Sequence, residues 1–371
     1  MMSNSQAAHN NTERTITMKL NLKDYGLSER YEQEATLYED LSLARVTEQH
    51  RDACRVVCEA GEISASVSGK FAHKAHDRTE FPAVGDWVMI DGTEEDTDNA
   101  IIHQVLRRKS ELSRQSAGTG VSGQVIAANI DTVFICMSLN ADFNLRRLER
   151  YLALVWDSMA TPVIVLTKSD LCDDLPQKLD EIETVSIGVE VIVCSSNTED
   201  GYKDIAAQVS KRETIALIGS SGVGKSTLIN RLAGEDVMAA QRTRQDDKGR
   251  HTTTHRQLLS LPCGGIVIDT PGMRELQMLG GNISKTFEDI EEIATGCKFR
   301  DCSHDSETGC AIKKAIASGT LSCERFASYQ KLQREVRYSS LTSRQIENEK
   351  FIGWFGSKNE IKQFKRHLKK R

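Results

Sequence analysis

GSSGVGKST, residues 219–227, fits the pattern G-x-x-x-x-G-K-[ST], with Gly219, Gly224, Lys225 and Ser226 in the fixed places. The run before it, ETIALI (213–218), is short and apolar and reads as a buried strand. The run after it, TLINRLAG (227–234), has helical spacing and closes on Gly234. A strand, a glycine loop and a helix start make a phosphate cradle. The glycines let backbone N–H groups turn inward, and the helix N-terminus adds positive potential. The expected phosphate-binding set is Gly219, Ser220, Ser221, Gly222, Val223, Gly224, Lys225, Ser226 and Thr227. In it Lys225 reaches the outer phosphates and the Ser226 hydroxyl binds Mg2+.

Downstream, GGIVIDT (264–270) leads into D-T-P-G at Asp269–Gly272. At a strand end Asp269 can hold Mg2+ through water, and the Gly272 N–H can meet a γ-phosphate. Between the two motifs lies QRTRQDDKGRHTTTHRQ (241–257), polar and without apolar periodicity, as a functional or a disordered loop is. Of its threonines, Thr253 is preferred as the residue completing the Mg2+ shell, because of its T-x-x-R spacing to Arg256.

Upstream, TPVIVLTKSD (161–170) ends a buried strand with Thr167, Lys168, Ser169 and Asp170. A carboxylate there accepts two hydrogen bonds from guanine N1–H and its N2 amine, a donor pair that adenine lacks. The Lys168 stem can lie along the base. About two dozen residues later a strand ends in VCSSN (193–197), so Ser195 and Ser196 are expected to meet guanine O6 through backbone N–H groups. The nucleotide is therefore GTP or GDP. Ordinary P-loop GTPases run from phosphate loop to guanine motif. Here the order is TKSD, SSN, GSSGVGKS, HTTT, DTPG, which makes the domain circularly permuted.

With 371 residues the chain is long enough for two or three domains, and 39% apolar and 27% charged residues are ordinary for a globular protein. A formal charge of −5 excludes a generally basic nucleic-acid binder. No apolar run approaches the roughly 20 residues of a membrane span, so no membrane partner is expected. The start is polar and without the apolar core of a secretory signal. Ten cysteines without such a signal point to reduced thiols or metal ligands, hence to the cytoplasm.

Residues 1–38 read as a disordered lead-in. LARVT, CRVVCE, EISASVSG, GDWVMI and AIIHQVL, within 39–112, are five β-type runs that suit a small OB-fold-like barrel. The loop after the third run carries Lys70, Phe71, His73, Lys74, His76 and Arg78, a composition that fits nucleic-acid binding on an OB-fold or, taken alone, a solvated loop. SRQSAGTGVSGQ makes 113–124 a linker. Strands and helices alternate over 125–285, the pattern of an α/β P-loop GTPase domain with a mostly parallel sheet. Residues 286–371 read as a mostly helical metal domain with a basic tail. That domain contains CKFRDCSHDSETGC (297–310), in which Cys297, Cys302, His304 and Cys310 match one closed, structural tetrahedral Zn2+ site. The remaining cysteines lie mostly in apolar runs and read as core.

A β-barrel, a permuted GTPase and a C-x4-C-x-H-x5-C cluster, in that order, resemble the RsgA family of ribosome small-subunit biogenesis GTPases from about residue 40 onward. The resemblance implies GTP hydrolysis that is slow alone and stimulated by the small ribosomal subunit, whose late maturation such proteins serve. It implies rRNA contacts for the tail, where Lys358, Lys362, Lys365, Arg366, Lys369, Lys370 and Arg371 gather. The chain is taken as a monomer. Two positions depart from the usual pattern. The guanine motif begins with Thr167 where the family usually has Asn, which predicts weaker guanine binding. After DTPG stands Met273, which cannot orient water. The resemblance assigns that task to His251 of G-R-H-T-T-T. The competing reading is a GTP-gated rRNA-binding module with negligible turnover.

Overall fold

The computed structural model describes residues 20–50, 53–92, 99–115, 123–198, 200–234, 256–270 and 282–339, together with 341 and 345. Ahead of the barrel stand a 3-10 turn, Leu22–Tyr25, and helix α1, Glu29–Ala35. The expected disorder therefore does not extend over residues 20–38. Leu22 and Tyr31 are buried in a cluster with Val57, Trp87, Met89 and Leu106, so apolar burial against the outside of the barrel fixes a segment whose sequence looks polar. Residues 1–19 lie outside the described set.

Strands β1 (Ser42–Gln49), β2 (Cys54–Cys58), β3 (Gly61–Val67), β4 (Trp87–Asp91) and β5 (Asn99–Val105) coincide with the five β-type runs. β1 pairs with both β2 and β4, and β3 pairs in parallel with β5, so the order β1-β2-β3-β5-β4 closes on β1 as a barrel. Its interior is filled by Ala44, Val46, Val56, Ala65, Val88, Ile90, Ala100 and Ile102. The basic stretch after β3 is not a plain loop. Gly69–Lys74 forms helix α2, capped by Ser68, whose hydroxyl accepts from the Phe71 N–H at 3.1 Å.

β6 (Glu111–Gln115) and β7 (Gly123–Ala128) pair antiparallel, so the expected linker supplies parts of two strands of a hairpin. Residues 116–122 are outside the described set. Then follow β8 (Thr132–Ser138), α3 (Leu145–Asp157), β9 (Thr161–Thr167), α4 (Leu175–Glu183), β10 (Glu190–Val193), α5 (Tyr202–Ala207), β11 (Thr214–Ile218), α6 (Lys225–Ala233), β12 (Arg256–Ser260) and β13 (Ile266–Asp269). The alternation gives the order β10-β9-β8-β11-β13, all parallel, with β12 antiparallel beside β13 and paired on its other side with β1. Near-continuous burial along β8, β9 and β11 is what a sheet covered on both faces requires. Helices begin where side chains satisfy free N–H groups. Asn144 accepts from Arg147 N–H at 3.0 Å and Asp174 from Gln177 N–H at 3.0 Å.

The C-terminal helices are α7 (Ile283–Thr286), α8 (Glu288–Thr295), α9 (Ala311–Ala317) and α10 (Cys323–Ser339). Ile283, Phe287, Ile290, Ile312, Phe326, Tyr329 and Leu332 share one hydrophobic cluster with Leu148, Leu152 and Val155 of α3 and with Ile135 and Ile164 of the sheet. The expected boundary at 285/286 thus falls inside a continuous core. Among the described residues no helix is long and apolar enough to cross a membrane.

Candidate nucleotide site and metal centre

The phosphate loop leaves β11 at its C-terminal end. Gly219 stands at φ 145°, and a Cβ there would lie 2.2 Å from the Cys136 carbonyl oxygen of the neighbouring strand β8. Only glycine lets the loop start this close to the sheet. The Lys225 ammonium donates to the carbonyls of Gly219 at 2.8 Å and Ser220 at 2.7 Å, which folds it back over the loop. Ser226 and Thr227, half-buried, open helix α6.

Asp269 ends β13 beside β11 and is 7% exposed. Burial pushes its carboxyl up to about 6, against the pull of Lys225. The next residue, Thr270, is fully buried and donates its hydroxyl to the Leu217 carbonyl at 2.6 Å, fastening the motif to the phosphate-loop strand. That hydroxyl was not singled out from the sequence, although a threonine inside D-T-P-G on a buried strand was its signal. Gly272, Thr253 and His251, like Met273 and the basic tail, lie outside the described residues.

The guanine motif stands at the ends of β9 and β10. Lys168 sits in the left-handed region, φ 57°, and turns the chain so that Asp170 meets the loop after β10. Asp170 Oδ1 accepts from the Ser195 hydroxyl at 2.5 Å, and Oδ2 from the Asn197 amide at 2.6 Å. The Ser195 hydrogen bond, followed by that from Asn197, holds the Asp170 carboxyl below the usual carboxylate range. Each oxygen keeps a second lone pair for a further donor. Ser195 works differently from the expectation. Its N–H donates to the Asp200 carbonyl at 3.3 Å and its hydroxyl serves Asp170, which leaves Ser196, exposed, on the open side of the loop. Asn197 was missed, since a lone asparagine in a polar loop carries no spacing signal. Ser169 starts a short 3-10 turn, with its N–H on the Cys194 carbonyl at 3.3 Å.

Thr167 connects the two halves of the site. It is buried and donates its hydroxyl to the Val223 carbonyl in the phosphate loop at 2.5 Å. Sequence separation hides this contact, since the partners are 56 positions apart.

Cys297, Cys302, His304 and Cys310 converge, their ligand atoms all within 4.8 Å of one another. A tetrahedral ion with M–S near 2.3 Å and M–N near 2.1 Å needs S···S of about 3.8 Å and S···N of about 3.6 Å. Cys297 and Cys310 Sγ are 4.0 Å apart, and His304 Nδ1 lies 3.6 and 3.4 Å from those two sulfurs. The Ala311 N–H donates to Cys297 Sγ at 3.3 Å, as an outer shell around a thiolate should. The donor set fits one soft-ligand metal ion with no open position. Of the other cysteines, Cys54, Cys58, Cys136 and Cys194 are buried as expected, whereas Cys263 and Cys323 are exposed.

Two buried polar clusters hold this site to its neighbours. Glu149 of α3, fully buried, accepts from Arg325 at 3.0 Å and from Ser328 at 2.5 Å, and Arg325 also donates to Asp289 at 2.6 and 2.8 Å. On the barrel side Arg45, 1% exposed, donates to Gly85 and Tyr25 carbonyls and to the Thr214 hydroxyl, and lies 5.4 Å over the Trp87 ring.

The model of the family described as RsgA GTPase matches residues 105–279. A small ribosomal subunit biogenesis GTPase RsgA 2 from Lactiplantibacillus plantarum is 51% identical over 349 residues, covering 94% of this chain and 98% of that one. An RsgA 1 from Oceanobacillus iheyensis is 43% identical over 325 residues, covering 86% and 92%. Among solved structures, YjeQ from Thermotoga maritima aligns with a TM-score of 0.58 at 25% identity, covering 80% of this chain and 98% of its own. YloQ, described as a circularly permuted GTPase, aligns at 0.56 and 27%, covering 81% and 96%. The chain shows a phosphate loop that follows its guanine motif on a sheet joined to a barrel, and it is up to 51% identical, over nearly their whole length, to proteins named RsgA: the chain belongs to the RsgA GTPase family.

Proposed function

We propose that this protein hydrolyses GTP with Mg2+ and serves as a late maturation factor of the small ribosomal subunit in the cytoplasm, with turnover stimulated by that subunit. The observation that carries the reading is the joining of a guanine-selective carboxylate, Asp170, to the phosphate loop through Thr167 and Val223 on one sheet edge. The relatives' names, small ribosomal subunit biogenesis GTPases, supply the partner.

In this reading the residues from Gly219 to Thr227 cradle the phosphates, and Ser226, Thr253 and Asp269 hold the magnesium ion. Gly272 meets the γ-phosphate, and Thr167–Asp170 with Ser196 take the base, while Ser195 positions the Asp170 carboxylate. Bound Mg2+ neutralises charge that develops on the transferred phosphoryl group. Residues of the chain do the rest: Lys225 moves from the loop carbonyls to the phosphates, and His251 orients the attacking water. We read the closed barrel as an OB-fold, which its strand order supports, and the Cys/His cluster as a structural zinc site, which its ligand spacing supports. The basic tail binds rRNA phosphates as a local patch on an acidic monomer.

Phosphate release from GTP, measured with and without purified small ribosomal subunits and with ATP as control, tests the proposal. Strong stimulation with ATP inert is the expected result, and His251→Ala should bind GTP normally and lose about a hundredfold of the stimulated rate. GTP binding without any acceleration by the subunit would replace the enzyme by a nucleotide-gated rRNA-binding module.

A further inference from the structure

His304 presents Nδ1 to the Cys297 and Cys310 sulfurs from a backbone at φ 62°, the left-handed region that a residue other than glycine enters at a cost. On either side of it the chain turns its N–H groups toward one carboxylate, that of Glu307. Glu307 Oε1 accepts from the Ser303 N–H at 2.9 Å and from the Ser303 hydroxyl at 2.5 Å. Its Oε2 accepts from the Asp305 N–H at 3.0 Å and the Ser306 N–H at 3.1 Å. Neighbouring N–H groups that converge in this way form a nest for an anion, and here the chain fills the nest with its own side chain. Two further contacts hold the loop. Lys313 of α9 donates to the Asp305 carbonyl at 2.9 Å, and the Phe326 ring of α10 meets the His304 ring edge-on, with centroids 6.1 Å apart.

An ionised carboxylate offers about four lone-pair sites. Four donors occupy those of Glu307, which leaves none for an ion, and its oxygens stand apart from the four converging ligand atoms. We propose that Glu307 is the positioning residue of the metal centre: its carboxylate holds residues 303–306 in the turn that delivers His304, and beside it Cys302, to the ion. This inference rests on the metal reading above. Negative charge alone does not meet the demand of the nest. A glutamine of the same length has one oxygen and one NH2 group. Whichever way that amide points, its NH2 faces at least one backbone N–H, donor against donor, and the turn must open. Asp301, exposed in the same loop and next to Cys302, separates charge from geometry, since it carries an equal charge outside the nest.

The test is Zn2+ affinity of the full chain, measured by competition with a chromophoric chelator, together with the absorption spectrum of the Co2+-loaded protein. The parent, Glu307→Gln, Asp301→Asn and Ser303→Ala are compared, and GDP binding by each shows that the nucleotide domain is folded. Glu307→Gln should lose about tenfold in Zn2+ affinity, as groups that orient a metal ligand do. Asp301→Asn should stay within about twofold of the parent. Ser303→Ala, which removes one donor of the four, should lose about threefold. The visible bands of tetrahedral Co2+ should persist in every variant, because the ligands are unchanged. Hydrogen exchange across 303–306 of the Zn2+-loaded chain should be faster in Glu307→Gln than in the parent. Parent-like affinity and exchange in Glu307→Gln overturn the inference while the metal reading stands. An equal loss in Asp301→Asn does the same, as does loss of the tetrahedral bands in Glu307→Gln alone, which would make Glu307 a ligand. Should Glu307→Gln not fold, unchanged affinity in Ser303→Ala overturns it. A parent that binds no Zn2+, or whose Co2+ form lacks tetrahedral bands, overturns the metal reading and this inference together.

Discussion

Asp269 illustrates how burial sets a ligand's chemistry before any ligand arrives. At the end of a buried strand its carboxyl holds a proton up to about pH 6, against an ordinary value of 3.8, because desolvation outweighs the nearby Lys225. The native chain therefore binds more protons than the unfolded chain between those two values. Its nucleotide-free stability should fall through this group as pH rises from about 4 to about 6. Magnesium needs the ionised form and competes with the proton, so the sign for binding is opposite. Mg2+–GDP affinity should rise about tenfold between pH 5 and pH 7, and Asp269→Asn should flatten that dependence. Calorimetric titrations across this range check both statements, and a parent profile as flat as the variant's would remove Asp269 from the magnesium shell. Residue types and spacing singled out this carboxylate, but its raised pKa came only from the sheet that buries it.

At the scale of elements, α3 shows what a helix can join. Its sequence, LRRLERYLALVWD, reads as an ordinary amphipathic helix with charged residues at the surface. The fold buries one of them, Glu149, completely and gives it Arg325 and Ser328 of α10 as partners, while Arg150 pairs with Glu335 on the same helix. Removing Arg325 leaves Glu149 with Arg146, three residues before it on α3, as its remaining ion-pair partner among the described residues, and takes a partner from Asp289. Arg325→Met should cost about 3 kcal/mol in denaturant unfolding. The double variant Glu149→Leu/Arg325→Met should recover more than half of that, because the desolvation cost disappears with the charges. Equal losses in the single and double variants would mean that the pair contributes only packing. The helix itself was readable from its 3.6-residue period, and the partner was not, since 176 positions separate Arg325 from Glu149.

For the whole molecule the decisive feature is that barrel and nucleotide sheet share an edge. β12 pairs with β13 on one side and with β1 of the barrel on the other, with Gln49 opposite Arg256 and the two side chains bonded at 3.1 Å. The strand begins three residues after Thr253, so the loop proposed to sense the γ-phosphate runs directly into the junction. Close backbone approach seals the other side. Gly85 has φ 93°, and a Cβ there would stand 2.2 Å from the Ala128 carbonyl oxygen. Asn129, also left-handed, joins Tyr31, Lys109 and Gly85 at this point. Gly85→Ala should therefore destabilise the protein by about 3 kcal/mol. It should also split one unfolding transition into two, as the barrel parts from the nucleotide domain. A single transition with an unchanged midpoint would show that the junction tolerates a side chain.

The sequence by itself determined the local chemistry: a phosphate loop, a guanine motif placed ahead of it, a four-ligand metal cluster and five barrel strands. Each of these is written in residues close together in the chain, where spacing and turn chemistry leave few alternatives. Only the tertiary structure decided that residues 20–35 pack on the barrel and that the segment after β5 pairs as a hairpin. It alone decided that the C-terminal helices share a core with the sheet. It also decided which proton Thr167 gives away, and to what. Those outcomes depend on burial and on contacts between distant segments, whose energies arise only once the chain has closed on itself.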